Sequence, residues 1–154
     1  MWYRNTAVAA ALICAAIIGV AWLRHMPTPV ALVVPTAERD SVYIGGVHVQ
    51  VDIVDTPSAQ EKGLSGRSEL STNEGMLFIF PEDGIYQFWM KDMLLSIDMI
   101  WISQSGKVVY IEKNATPESY PTVFGPDTPT RYVLEVPAGF SDMHGVSVGD
   151  NVGL

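Results

Sequence analysis

Ser41-Val-Tyr-Ile-Gly-Gly-Val-His-Val-Gln-Val-Asp-Ile-Val54 sets the fold class. From Val47 onward apolar and polar residues alternate, the period-2 pattern of a half-buried strand. Ser41–Ile44 forms a shorter strand before it, and Gly45-Gly46 supplies the two-residue hairpin turn between them. Further elements follow downstream. Thr56-Pro57 opens a helix, with Thr56 as N-cap and Pro57 at the first helical position, and Gly63 or Gly66 ends it. Gly75–Phe80 is an apolar strand stopped by Pro81, and Glu82-Asp83-Gly84 is a turn. Ile85–Met90, Ile97–Ile102, Lys107–Glu112 and Arg131–Val136 read as further strands. Residues 114–130 are a Pro-rich loop, Pro137-Ala-Gly139 is a turn, and residues 146–152 close the domain as a hairpin-like end. About seven short strands and one short helix predict a mainly β domain: a small closed or nearly closed β-barrel or sandwich, with the helix plugging one end.

Before this domain lies a segment of different character. Residues 6–23 run 18 positions without a charge, about 27 Å as a helix, enough to span the hydrocarbon core of a bilayer. Arg4 precedes the run, Arg24 and His25 follow it, and Trp2, Tyr3 and Trp22 stand where interfacial aromatics belong. A cleaved signal peptide would need small residues at a nearby cut site, and only weak sites such as Pro35-Thr-Ala37 follow. A lipoprotein signal would need small residues before Cys14, but Ile13 stands there. An uncleaved anchor fits best. The expected organisation is therefore a transmembrane anchor or uncleaved signal over residues 1–25, an extended Pro-rich linker over 26–40, and a domain over 41–154. The flanking positive charges are nearly balanced. The short N-terminal tail before a single helix places the N-terminus inside, so the domain faces the periplasm or cell exterior from the cytoplasmic membrane.

Composition excludes several function classes. The chain has 154 residues and a net charge of −8. Beyond residue 37 it carries 7 Lys and Arg against 17 Asp and Glu, a net charge of −10. Phosphate binding needs a basic footprint, so nucleic acid is not an expected partner. Cys14, within the apolar run, is the single cysteine of the sequence, so disulfides within the chain and thiolate chemistry in the domain are excluded. His48 alternates with valines on a strand and His144 lies 96 positions away, which makes no recognisable metal site. No nucleophile elbow, Walker loop or dinucleotide fingerprint occurs, and no cofactor is expected.

The informative feature is charge within apolar strands. Asp98 shares a strand face with Ile100 and Ile102, with Ile97, Met99 and Trp101 on the other. Glu135 shares a face with Val133 and Arg131. Arg67 follows the short helix, and Lys91 ends Phe88-Trp-Met. Turned inward, such ions must pair, and Lys91 with Asp98 and Arg131 with Glu135 are the expected pairs. The bland reading is a structural ion network or a solvated face. The sharper reading is a pocket for a small charged ligand, formed by Arg67, Lys91, Asp98, Arg131 and Glu135 with Trp89, Trp101 and Tyr132 as apolar wall. Phe78, Phe80, Phe88 and Trp89 are otherwise most simply core.

Glu74-Gly-Met-Leu-Phe-Ile-Phe80, Phe88-Trp-Met-Lys-Asp-Met-Leu-Leu-Ser-Ile-Asp-Met-Ile-Trp-Ile102 and Arg131-Tyr-Val-Leu-Glu-Val-Pro-Ala-Gly139 together resemble the domain of unknown function 192 family. Gly63-Leu64, Arg67 and Gly149-Asp150 fit the same pattern, and the resemblance covers residues 41–154. Met93 and Ser65 depart from it, standing where the family often has Thr and Met. The resemblance implies a small, mostly β domain, frequently exported behind a hydrophobic N-terminal segment, and implies no activity. The expectation is a membrane-tethered envelope module that binds a small charged ligand or an envelope protein. The alternative is an enzyme using Asp98 or Glu135 as acid or base.

Overall fold

The computed structural model describes residues 40–154. The anchor expected over 1–25 and almost all of the linker fall outside them. Among the described residues no helix is long and apolar enough to cross a membrane.

The hairpin at the start forms as its glycines dictate. β1 (Ser41–Ile44) and β2 (Val47–Val54) pair antiparallel, with Ile44 opposite Val47. Gly45 and Gly46 take φ values of 60° and 82°, the left-handed backbone that a tight hairpin requires. α1 (Pro57–Lys62) follows, with the Thr56 hydroxyl accepting from the Ala59 N–H. The chain returns in β3 (Glu74–Gly84), which runs parallel to β2. β5 (Ile97–Ile102), β6 (Val108–Ala115) and β8 (Thr130–Pro137) complete a six-stranded sheet in the order β1-β2-β3-β8-β5-β6. Two-residue strands β4 (Phe88–Trp89) and β7 (Val123–Phe124) form a separate small sheet.

Strand alternation distributes the apolar residues over both faces of the large sheet. One core holds Val42, Ile44, Val49, Leu77, Ile100, Ile102, Leu134 and Val136, closed by Phe140 and Val146. The other holds Met76, Phe78, Met99, Trp101 and Val133, covered by Leu64, Met90 and Met93. The central strands β3, β8 and β5 are thus buried on both sides, which explains their nearly unbroken apolar runs. Gly75 marks the closest approach of β3 to β8. A Cβ placed there would lie 2.6 Å from the Glu135 carbonyl oxygen, and backbone cannot yield as a side chain can. Gly75→Ala should therefore destabilise the chain by about 2 kcal/mol in urea unfolding, and unaltered stability would contradict this packing.

Several expectations are corrected. The fold is not a closed barrel, because β1 and β6 remain the two edges of an open sheet. The residues after Val148 nevertheless tie those edges. Gly153 bridges to Tyr43 in β1, and Asn151 bridges to Lys107 just before β6. Pro81 does not stop β3. The β3–β8 register shifts between Ile79 and Gly84, so no regular ladder needs its missing N–H. Ile85–Gln87 is irregular rather than strand. Beyond Gly139 lies an unexpected second helix, α2 (Phe140–Met143).

Candidate functional site

The two buried carboxylates of the central strands face opposite sides of the sheet. Asp98 lies opposite Val136, and Glu135 lies between Met76 and Met99. Asp98 therefore points toward the core of Ile100 and Phe140, and Glu135 toward the core of Phe78 and Trp101. One site cannot use both.

Asp98 is fully buried and fully engaged. Its Oδ1 accepts from the Asn114 N–H at 2.8 Å and the Gly139 N–H at 3.1 Å, and its Oδ2 accepts from the Ser141 N–H at 2.8 Å. Each donor would otherwise be orphaned. Asn114 sits at φ 53° in a bulge, where two β6 residues oppose Asp98 alone. Gly139 and Ser141 begin α2, whose own N-cap offers no side-chain acceptor. Asp98 is a structural clamp that caps α2 from a distant strand.

Glu135 is the reverse. Only 5% exposed, it has an Oε2 with no hydrogen-bond partner. Burial pushes its carboxyl up from the ordinary 4.5 to about 8, because the charged form loses its hydration and no cation pairs with it. It lines a cavity of about 300 Å³ whose walls include Phe78, Phe80, Tyr86, Phe88 and Trp89. These rings brace one another. Phe88 stands edge-on to Phe78, Phe80 and Trp101, and Tyr86 stacks on Phe80. The Trp101 Nε1–H donates to the Tyr86 carbonyl at 2.7 Å, holding the irregular stretch in place from below. At the other wall, the Gln60 amide donates to the Ile79 carbonyl at 2.9 Å and fixes α1 on β3. The Ser65 hydroxyl donates to the Lys91 carbonyl at 3.0 Å, joining the loop after α1 to the turn after β4.

The sequence-derived candidates divide accordingly. Glu135, Lys91 and Trp89 meet at this cavity, with the Lys91 ammonium 6.0 Å from the Trp89 ring centre. Asp98 lies across the sheet, so the expected Lys91–Asp98 pair does not form. Nor does Arg131–Glu135. Four residues along one strand separate those two by about 13 Å, and Arg131 Nε instead meets Asp83 Oδ1 at 2.7 Å. Arg67 pairs with Asp52 at 2.6 Å beside a neighbouring groove, a half-exposed pair of small energetic weight. Trp101 lies beneath the cavity rather than in its wall, and Tyr132 packs on the opposite core. Sequence reasoning missed Gln60, Ser65 and Tyr86. None of the three had a signal in the sequence: Gln60 is one polar residue of a short polar helix, and only the structure turns it inward beside Ala59. Among the described residues no three His, Cys, Asp or Glu gather as a metal site.

The model of the family called domain of unknown function 192 (Uncharacterized ACR) matches residues 41–154. The chain belongs to this family. Among solved structures, DUF192's fold recurs in a Sinorhizobium meliloti 1021 protein described as a candidate transcription regulator. It is 33% identical, with 73% of this chain and 89% of that one covered and a TM-score of 0.69. A protein of unknown function from Novosphingobium aromaticivorans DSM 12444 is 28% identical, with 78% and 89% covered and a TM-score of 0.71. No curated protein matches the chain.

Proposed function

We propose that this DUF192 domain is a non-enzymatic binding module of the cell envelope, tethered to the cytoplasmic membrane through residues 6–23 and facing the periplasm or exterior. The supporting observation for binding is Glu135: a buried carboxyl with an unpartnered oxygen at an aromatic cavity. An unsatisfied buried polar atom costs about 1–3 kcal/mol, and a ligand that engages it recovers that cost. The volume suits a small molecule. The tether is supported by the length and flanks of the apolar run. Direct contact with nucleic acid is disfavoured by the domain charge of −10.

The test is a thermal unfolding screen of the full-length chain in a non-ionic maltoside detergent, followed by tryptophan fluorescence, against metabolites and cell-wall fragments. A ligand at about 100 times its Kd adds about 2.7 kcal/mol, and Trp89→Ala should abolish that shift. A hit whose shift survives both Trp89→Ala and Glu135→Gln removes this cavity from the function. The second reading is an enzyme with Glu135 as general acid or base, favoured by a carboxyl that titrates near 8. Turnover of a screened compound, lost in Glu135→Gln, would establish it.

A further inference from the structure

We infer that the cavity over Glu135 takes a small organic cation, a primary or quaternary ammonium seated between the Glu135 carboxylate and the rings of Phe78, Phe80 and Phe88. This deepens the binding reading above and rests on it. Glu135 Oε2 is buried and unpartnered, so the fold supplies one half of an ion pair. The described cations do not supply the other half. Arg67, Lys113 and Arg131 are engaged with Asp52, Asp142 and Asp83, and the Lys107 ammonium donates to the Gly149 carbonyl. Lys62 and Lys91, from α1 and the turn after β4, line the same cavity with exposed side chains and make no ion pair with Glu135. Glu61 and Tyr86 also face this space without bonding to Glu135.

The walls suit a cation for a separate reason. Phe78, Phe80 and Phe88 line the same space as Glu135, and the negative quadrupole density of an aromatic face attracts a cation placed against it. A domain charge of −10 raises the local concentration of cations and repels anions. Binding is coupled to a proton. The carboxyl is protonated below about pH 8, so seating an ammonium displaces that proton to solvent. Affinity should therefore rise about tenfold per pH unit between pH 6 and 8 and level off above.

The experiment is isothermal titration of the full-length chain in maltoside detergent at pH 6, 7, 8 and 9. The probes are choline against its uncharged isostere 3,3-dimethylbutan-1-ol, and n-butylammonium against n-butanol. At least one cation should bind tenfold or more tighter than its neutral counterpart at pH 8, with the stated pH trend, and Glu135→Gln should erase both preference and trend. If Glu135→Gln fails to fold, the pH trend of the parent chain decides alone. Equal binding of cation and isostere overturns the ligand class while leaving the cavity a binding site, as does a neutral or anionic hit in the wider screen with no cation binding. Failure of all four probes together with an empty screen overturns both readings.

Discussion

Asp98→Ala should lower the unfolding free energy of the full-length chain by about 4 kcal/mol or more, against a typical domain total of 5–15 kcal/mol. Three N–H groups lose an anionic acceptor at once: Asn114 in the β6 bulge, and Gly139 and Ser141 at the start of α2. The Ser141 donor is left buried and the other two part-buried, next to the core around Phe140. Asp98→Asn is the sharper test. Both carboxylate oxygens accept, so an amide must aim its NH2 at a donor whichever way it turns. Asn should therefore recover less than half of the loss. Urea unfolding of the three chains measures both steps, and an alanine variant within 1 kcal/mol of its parent would show that α2 and the bulge stand without the clamp.

Glu135→Gln should act in the opposite direction, and only at higher pH. Below pH 4.5 folded and unfolded chains both hold the proton. Between 4.5 and about 8 the unfolded chain releases it and the folded chain does not, so stability falls by about 1.4 kcal/mol per pH unit. Above 8 both states are ionised and the deficit is constant, about 5 kcal/mol at most. Glutamine resembles the protonated acid and cannot ionise. With a constant cost of about 1.5 kcal/mol for its own unbonded amide hydrogens, the variant should be about 1 kcal/mol less stable than the parent near pH 5 and about 3 kcal/mol more stable at pH 9. Thermal unfolding across this range reads the difference directly. Parallel profiles for the two chains would mean that Glu135 is hydrated.

Local signals carried most of the strand assignment. The alternation of Val47–Val54 and the paired glycines before it allow little besides a hairpin, and Thr56-Pro57 marks the start of α1. Pairing between distant strands was not legible, because the parallel return of β3 beside β2 and the insertion of β8 between β3 and β5 depend on which apolar runs fit against one another. A four-residue helix such as α2 is too short to show a period, and Pro137-Ala-Gly139 reads as a turn with nothing to announce a helix beyond it. At the site, strand alternation gave the correct face for Asp98 and Glu135 relative to their own neighbours. It could not show that those faces lie on opposite sides of one sheet, and so it joined Lys91 to a carboxylate that lies across the sheet from it. The aromatic residues read as core are core in part. Phe78 is almost wholly buried, yet it also borders the cavity.

Strand order also sets when this molecule can fold. β8, between β3 and β5, is the last strand of the sheet to leave the ribosome. The 53 residues after Gly84, through Pro137, take roughly 3 to 10 seconds to synthesise, and until then the edges of β3 and β5 have no partner between them. Long-range pairing of this kind is slow in its own right. A nascent chain that stays pliable for seconds is one that secretion machinery can thread before it locks, in keeping with the outward address proposed for it.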